Sequence, residues 1–414
     1  MTDLISLSSR AEGDLAGVFA GFESVSRLCT ERILDAFREE RISDSHFAGT
    51  SGYGYSDSGR DAIERVFARV FGCEAALVRH TIISGTQALT IGLFGLLRPG
   101  DILLSVTGKP YDTLDEVIGI SGEKGNGSLA DFGVSYREIA LGKDGGVDLD
   151  AIRKALESED AKKIKVVFLQ RSRGYLSRRT LSPEEIGSVV SLVHEKTDAF
   201  VMVDNCYGEF TSEKEPTHFG ADLVVGSLIK NAGGGMAETG GYLAGSAKAV
   251  ELASYRMTSV GIGAEAGATL GQNKNILKGL FYAPHTVCQA LKTAAFAAYL
   301  FGENGYDVSP KWNEKRFDII QTVNTGSAEG LIAFCKGLQS GSPIDSFASP
   351  EPCPMPGYAD QVIMAAGAFT QGSSIELSAD GPLRPPYTAF LQGGLTYESG
   401  RYGILSAAKA VFGL

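Results

Sequence analysis

The chain has 414 residues, 43% hydrophobic and 21% charged, which excludes a disordered, collagen-like or coiled-coil protein. Its formal net charge of −11 disfavours a nucleic acid or an anionic membrane as the main partner. The six cysteines form no C-x-x-C pair and lack zinc-finger spacing. They therefore predict reduced thiols in a cytoplasmic protein without a metal site.

The predicted elements begin with a helix-prone segment at 1–45, followed by a loop rich in Gly, Ser and Tyr at 46–60. Short apolar runs then alternate with amphipathic segments. Several runs are apolar throughout, which is typical of strands buried on both faces of a parallel sheet. The predicted strands are 75–78, 101–106, 165–170, 199–204 and 221–227. The predicted helices beside them are 60–71, 86–97, 112–121, 148–157 and 182–196.

The pattern changes after about residue 285. An Ala-rich helix is predicted at 286–302, strands at 362–370 and 374–378, and a final helix at 404–412. We therefore predict an α/β fold with a mostly parallel central sheet flanked by helices, followed by a smaller α+β unit. The predicted domains are an N-terminal helical segment (1–50), a large α/β domain (51–285) and a small C-terminal domain (286–414).

Three strand ends carry the residues suited to chemistry, because open α/β sheets bind ligands beyond the carboxyl ends of their strands. At the first, Ser84-Gly85-Thr86-Gln87 opens a helix whose N–H groups can hold a phosphate, although this run by itself favours a plain N-cap. At the second, Asp204 ends an apolar strand, as a cation-binding carboxylate or a capping residue. At the third, Ser227 ends a strand and Lys230 follows among apolar and glycine residues.

One cofactor, pyridoxal 5'-phosphate (PLP), accounts for all three strand ends. A lysine amine can bind the PLP aldehyde covalently, a carboxylate can pair with the pyridinium nitrogen, and a helix N-terminus can hold the phosphate. The order of phosphate loop, Asp204 and Lys230 along the chain is that of PLP enzymes with the aspartate-aminotransferase-like fold.

Stretches spread over nearly the whole chain resemble one family of these enzymes. They include GYGYSDSGRD (52–61), ISGTQAL (83–89), VDNCYGEF (203–210), GSLIKNAGGGMAETGGYLAG (226–245) and ELSADGPLRPPY (376–387). The sequence resembles the methionine γ-lyase-like or "aluminium resistance" proteins, within the cystathionine/methionine γ-lyase superfamily. It departs from the better-known lyases after Lys230, where Asn231 and three glycines follow, so the resemblance does not fix the substrate.

The resemblance implies a fold type I enzyme and gives roles to matching residues. Lys230 would carry PLP and shuttle the Cα proton, which requires a depressed lysine pKa. Asp204 would hold the ring nitrogen. Tyr111 would stack on the ring, although a core tyrosine at a helix start fits the sequence too. The implied phosphate ligands are Ser84, Gly85, Thr86, Gln87 and Ser227.

Three residues at the end of the strand 165–170 are candidates for the 3-oxygen of PLP. They are Gln170, Arg171 and Arg173, and salt bridges are the alternative for the arginines. Arg173 is included among the predicted cofactor-binding residues.

The resemblance also gives roles to a loop and to one further arginine. Tyr53, Tyr55 and Arg60 match a loop that crosses a dimer interface to the partner's phosphate, although a plain Gly/Tyr turn fits equally. Arg384 is the candidate for the substrate carboxylate, because a guanidinium matches that group with two hydrogen bonds. A loop arginine in a Pro-rich bend is the alternative.

The resemblance implies a PLP-dependent carbon–sulfur lyase that catalyses elimination from a sulfur-containing amino acid, as cystathionine β-lyase or methionine γ-lyase does. We expect a homodimer or homotetramer with active sites at the dimer interface. A PLP-dependent aminotransferase is one alternative. A non-catalytic binding protein with this fold is another, although Lys230 and Asp204 argue against it. An NAD enzyme is disfavoured, because the G-x-G-x-x-A match at 261–266 lacks a buried strand before it.

Overall fold

The structure, a computed structural model, describes residues 4–176, 178–355, 358 and 360–414. Within these residues the strands form two sheets, which we call the large sheet and the small sheet. The large sheet contains β1 (Ala75–Arg79), β2 (Ile102–Ser105), β3 (Ser135–Glu138), β4 (Ile164–Gln170), β5 (Phe200–Asp204), β6 (Leu223–Ser227) and β7 (Gly241–Gly245). The small sheet contains β8 (Asp307–Ser309), β9 (Gln321–Asn324), β10 (Val362–Ala365), β11 (Ser378–Pro382) and β12 (Thr388–Gln392).

Helices cover both sheets, and most begin at a residue whose side chain accepts a hydrogen bond from the first turn. Such capping residues are Asp57, Ser84, Asp148, Ser182, Ser246, Ser327 and Thr396. The α-helices of the described residues are α1 (Leu4–Asp14), α2 (Ala16–Glu39), α3 (Ser58–Phe71), α4 (Gly85–Leu96), α5 (Asp115–Ile118), α6 (Leu149–Leu156), α7 (Pro183–Lys196), α8 (Ala247–Met257), α9 (Asn273–Gly302), α10 (Ala328–Ser340) and α11 (Tyr397–Phe412).

The large sheet has the strand order β1-β7-β6-β5-β4-β2-β3. Among the described strands of this sheet, β7 alone runs in the opposite direction, antiparallel to both β1 and β6. In β5, Val201 and Val203 pack into the core beneath α2, α3, α7 and α9, whereas Met202 packs into the core beneath α4 and α8. Because both faces are covered, the central strands β4, β5 and β6 are mostly apolar, and the predicted mostly parallel sheet is confirmed.

The small sheet is antiparallel, with the order β10-β11-β12-β9-β8. Its core also contains Leu7, Ala11 and Leu15, so α1 packs with the small sheet rather than forming a separate N-terminal unit. The smaller C-terminal unit predicted from the sequence is therefore present, but it is completed by residues from the predicted helical segment at 1–50.

The predicted boundary at 285/286 falls inside α9, which runs from one core into the other. The sequence interpretation began this helix at residue 286, whereas α9 begins at Asn273. Proline removes a hydrogen bond from a helix interior. Pro284 is nevertheless buried within α9, where packing on both units stabilises the helix. The strand predicted at 374–378 is also wrong, because β11 begins at Ser378.

Among the described residues there is no helix whose length and apolar character would let it cross a bilayer.

Candidate active site

The three predicted strand ends meet at one edge of the large sheet. Asp204 pairs with Gln170 of β4 on one side and with Val225 of β6 on the other. A methyl group added at Gly85 would lie 3.3 Å from Cys206 Sγ and 3.6 Å from Ser227 Cβ. The start of α4 is thus in contact with the loops that follow β5 and β6.

Lys230 reaches this edge from the loop after β6. Its Nζ lies 4.0 Å from the centre of the Tyr207 ring. Asn231 connects the two loops, because its Nδ2 donates to the carbonyls of Tyr207 at 3.0 Å and Glu209 at 2.9 Å. Side chains at Gly233 or Gly234 would overlap the backbone, so this glycine-rich segment packs directly on its neighbours, including α9.

Acidic groups surround the lysine. Burial raises the pKa of Asp204, while the charge of Lys230 acts to lower it. Burial acts to lower the pKa of Lys230, but Cys206, Tyr207 and Asp204 raise it overall. The predicted depression of the Lys230 pKa is therefore wrong for the protein without PLP, since the groups around the amine are acids rather than cations.

The start of α4 supplies free N–H groups rather than side-chain ligands. Ser84 Oγ accepts from Gln87 N at 3.0 Å, and Gln87 Oε1 accepts from Ile83 N at 2.7 Å. Thr86 Oγ1 pairs with Thr113 Oγ1 at 2.8 Å. The Ser84 and Gln87 side chains are thus engaged in local capping, and the Thr86 hydroxyl is engaged with Thr113. The first N–H groups of a helix have no intrahelical partner and suit an anion. The Ser227 hydroxyl is also engaged, since it accepts from Ile229 N at 3.4 Å.

Tyr111 belongs to a group of aromatic side chains that we call the tyrosine cluster: Tyr111, Tyr175 and Tyr358. The hydroxyls of Tyr111 and Tyr358 lie 2.6 Å apart, and the Tyr175 ring centre lies 5.9 Å from that of Tyr111. Burial raises the pKa of Tyr111 well above its ordinary value, so its hydroxyl keeps its proton.

The arginines after β4 have structural partners. Arg171 is fully buried, and its Nη1 lies 3.1 Å from Glu215 Oε2. Arg173 is also buried and donates to the carbonyl of Ser309 at 3.1 Å and to its hydroxyl at 3.2 Å. The prediction that Arg173 binds the cofactor is therefore not supported, because its guanidinium holds β8. Gln170 retains a buried Oε1 without a hydrogen-bond partner, directly beside Asp204.

Arg60 and Arg384 both have hydrogen-bond partners within the chain. Arg60 Nη1 donates to the carbonyls of Gly54 at 2.7 Å and Gly267 at 3.2 Å, so the buried side chain braces its own loop. The Arg384 side chain is 47% exposed and pairs with Asp360 at 2.9 Å, and its binding of a substrate carboxylate stays a prediction. Tyr55 lies on the exposed loop, and its contact with a partner stays a prediction.

Sequence reasoning missed two charged residues. Arg178 donates through Nη2 to the carbonyls of Gln170, at 3.0 Å, and Ser172, while its buried Nε and Nη1 have no partner. Asp380 lies on β11 within the electrostatic reach of Lys230. Its signal in the sequence is an acidic residue within 376–387, the same stretch that contains Arg384.

The side chains at this edge fit PLP. Asp204 offers a buried carboxyl to a ring nitrogen, Lys230 offers an amine in the same enclosure, and Tyr111 offers an aromatic face. Gly85 leaves the N–H groups of α4 open to a phosphate. The unpartnered Oε1 of Gln170 is a further buried polar atom that a bound group can satisfy.

Known proteins share both this sequence and this fold. The model of the methionine gamma-lyase family matches residues 4–412. YnbB of Bacillus subtilis is 51% identical over 401 residues, which cover 97% of this chain and 94% of that protein. The crystal structure of a carbon–sulfur lyase involved in aluminum resistance, from Clostridium novyi NT, has a TM-score of 0.94 at 50% identity. It covers 98% of this chain and 95% of that chain.

A more distant structure shows how widely the fold occurs. The PLP-dependent protein YhfS of Escherichia coli has a TM-score of 0.64 at 15% identity, covering 95% of this chain and 97% of that chain. This likeness confirms the predicted fold class. With the family model matching nearly the whole chain, the resemblance inferred from the sequence is confirmed as well, and the chain belongs to the methionine gamma-lyase family of enzymes.

Proposed function

We propose that the protein is a PLP-dependent carbon–sulfur lyase that eliminates a thiol from a sulfur-containing amino acid. The observation that carries this proposal is that Lys230 and Asp204 are buried together at the carboxyl edge of the large sheet. They lie beside the start of α4, where Gly85 has no side chain. Membership of the methionine gamma-lyase family supports the proposal. When bound there, PLP supplies an electron sink for the charge that develops at Cα.

Asp204 and α4 hold the cofactor in this proposal. The carboxylate of Asp204 keeps a proton on the ring nitrogen through a charged hydrogen bond. The first N–H groups of α4, opened by Gly85, bind the phosphate. Tyr111 covers the ring and helps to exclude water.

Lys230 removes the Cα proton and needs a neutral amine to do so. In the protein without PLP, Asp204 is among the groups that raise its pKa. Pairing Asp204 with a protonated ring nitrogen neutralises that charge, so it acts to lower the pKa of Lys230.

The Tyr111 hydroxyl supplies the proton for the departing sulfur. As the C–S bond breaks, its electron pair stays on sulfur, which takes the proton of the Tyr111 hydroxyl. Tyr358 is hydrogen-bonded to that hydroxyl at 2.6 Å and orients it.

The decisive test incubates the PLP-loaded protein with cystathionine, methionine, homocysteine or cysteine and measures thiol, ammonia and keto acid. We expect all three products in equal amounts from at least one substrate. Lys230→Ala should abolish them. Lys248→Ala removes an exposed lysine paired with Glu251 at 2.9 Å and should change nothing.

Two results would contradict the proposal. Keto acid that forms only with an amino acceptor, and without ammonia, would identify an aminotransferase. An absence of products from all four compounds, in protein that binds PLP, would reject a lyase acting on these sulfur amino acids.

We further propose that the protein works as a homodimer, or a dimer of dimers, in the cytoplasm. All six cysteines lie in the described residues and are free, which suits a reducing compartment. Exposed apolar side chains lie on the loop at 52–56 and on the segment bonded to it: Tyr53 (76% exposed), Tyr55 (55%) and Leu270 (66%). Backbone hydrogen bonds join the two segments that carry them, from Gly267 N to Tyr53 and from Leu270 N to Thr50. Such a patch suits a second copy of the chain.

A further inference from the structure

A wide cleft lies beside α2, apart from the proposed active site. Its walls come from α2, from residues 211–214 and 313–317, and from Glu184 at the start of α7. None of these residues belongs to the strand ends that carry Asp204 and Lys230. We call this space the α2 cleft. Its volume of about 840 Å³ is large enough for a small organic molecule.

Glycines keep the α2 cleft open on the side of the helix. Gly17 and Gly21 lie about one helical turn apart, and a methyl group added to either would meet nothing within 4 Å. Half-buried Phe22 and Phe317 add aromatic surface to the same cleft. The α2 cleft therefore has both room and apolar surface for a bound molecule.

Arg316 lines the α2 cleft, and its guanidinium lacks a carboxylate partner. Only 4% of the residue is exposed. Its Nη2 donates to Gln321 Oε1 at 2.7 Å, whereas its buried Nε and Nη1 have no hydrogen-bond partner. Arg316 belongs to none of the ion pairs in the described parts of the chain. A buried guanidinium in this state costs free energy unless an anion pairs with it.

The charge around Arg316 is positive as well. Arg173 lies within electrostatic reach of both Arg316 and Arg178, and the buried Nε of each of the three has no partner. Asp318 is a buried acid whose charge reaches all three guanidinium groups. Because one carboxyl is shared in this way, positive charge is in excess. Burial and the charge of Arg173 lower the pKa of Arg316 to about 9.

Ser212 contributes a second buried polar atom to the α2 cleft. Its Oγ has no hydrogen-bond partner, and a hydroxyl can donate to an anion. The exposed rim carries charges of both signs, which solvent screens. These rim residues are Glu184, Glu213, Lys214, Glu314 and Lys315. The buried charge of Arg316 therefore decides which sign of ligand the cleft prefers.

We propose that the α2 cleft is a second ligand site, for a small molecule that joins an oxyanion to an apolar group. The oxyanion, a carboxylate or a phosphate, pairs with Arg316, because a guanidinium matches either group with two hydrogen bonds. The apolar group packs on Phe22 and Phe317. This inference does not depend on the proposed function, because neither Lys230 nor Asp204 takes part in the binding.

The experiment titrates the whole chain, saturated with PLP, with hexanoate, hexyl phosphate and uncharged hexanamide. Saturation with PLP keeps the phosphate probe out of the cofactor site. Calorimetry should show that at least one anion binds roughly 10-fold or more tightly than hexanamide, and the two anions distinguish a carboxylate ligand from a phosphate. Arg316→Gln should remove this preference and leave the affinity for hexanamide within about twofold, since a neutral amide forms no charged pair.

Gly21→Leu tests the site without altering the buried arginines. The leucine side chain occupies the space beside α2, so it should weaken anion binding roughly 10-fold or more. Gly13→Leu is the matched control, because a methyl group there also meets nothing within 4 Å and Gly13 does not line the cleft. It should leave the affinity unchanged. Gly21→Leu decides the question if Arg316→Gln does not fold, as judged by circular dichroism.

Two outcomes would overturn the inference. Anions that do not bind, or that bind no more tightly than hexanamide, would show that the cleft recognises no oxyanion. Anion binding that survives Gly21→Leu, or a folded Arg316→Gln, would place the probes elsewhere, including the substrate pocket. The titration measures no elimination, so a negative lyase assay with retained anion binding rejects the proposed function and not this inference.

Discussion

Among single residues, Asp204 is the carboxyl on which the proposed chemistry depends most. Asp204→Asn should still bind PLP but slow elimination by roughly 10²- to 10³-fold, because an amide does not keep the ring nitrogen protonated. Steady-state rates and PLP absorbance measure the two effects. Asp222→Asn is a suitable control, since Asp222 bonds to Val201 N near the opposite end of β5. A rate near that of the natural protein would contradict the assigned role.

Asp380 gives a prediction for how the stability of the protein depends on pH. An unfolded aspartate ionises near pH 4, whereas folded Asp380 keeps its proton up to a pKa of about 7. The cost of folding the ionised carboxyl is absent below pH 4, grows between these values and is complete above pH 7. Asp380→Asn should therefore stabilise the PLP-free protein at pH 8 by about 1–4 kcal/mol, and by less at pH 5.

Urea unfolding at the two pH values measures this difference. Asp360→Asn removes a charge from the surface and controls for net charge. An Asp380→Asn variant that is less stable than the natural protein at pH 8 would show that its carboxylate is compensated within the chain.

Single residues also show where sequence reasoning succeeds. Lys230 and Asp204 could be located because Asp204 ends an apolar strand and Lys230 follows another. Open α/β sheets bind their ligands beyond such strand ends. Arg173 was misassigned because its partner, Ser309, is 136 residues away in the sequence. The partners of long charged side chains depend on such distant contacts, which no local pattern records.

At the scale of elements, the start of α4 decides how PLP is held. Gly85→Ala should change the stability of the PLP-free protein by less than about 1 kcal/mol, since alanine favours the helix while its methyl meets Cys206 Sγ at 3.3 Å. It should weaken PLP binding by roughly 10-fold, because the methyl crowds the N–H groups that bind the phosphate. Thermal unfolding and PLP titration measure these effects.

Gly17→Ala in α2 is the control, because a methyl there meets nothing within 4 Å. It should leave PLP affinity unchanged. Unaltered PLP binding in Gly85→Ala would place the phosphate away from α4.

Strands that are buried on both faces of the sheet could be predicted from the sequence. β4, β5 and β6 are apolar runs between covered faces, and the sequence indicates them directly. β3 is a polar strand at the sheet edge, and β7 is a glycine-flanked strand of five residues, so neither has an apolar run. α9 begins at Asn273, before the predicted start at 286, and includes Pro284, which this packed helix accommodates.

At the scale of the whole molecule, the exposed loop at 52–56 predicts assembly. Replacing both Tyr53 and Tyr55 with Ser should weaken the dimer and lower activity together, because the lost apolar area belongs to the proposed interface. Light scattering across a concentration series measures assembly. Phe347→Ser removes a ring that is 90% exposed elsewhere and should leave the dimer intact. A fully active monomer would contradict the prediction.

The packing of α1 has a consequence for biosynthesis. Its apolar residues Leu7 and Ala11 share a core with Ile404 and Ala407 of α11, and Arg401 pairs with Glu12 at 2.7 Å. On the ribosome, α1 emerges long before α11. Its apolar face therefore lacks its final packing partner while the intervening chain is synthesised. Contacts this distant in sequence form late and leave nascent chains prone to association. We therefore expect the small unit to mature only after α11 is released, with α1 as the segment that chaperones shield in the meantime.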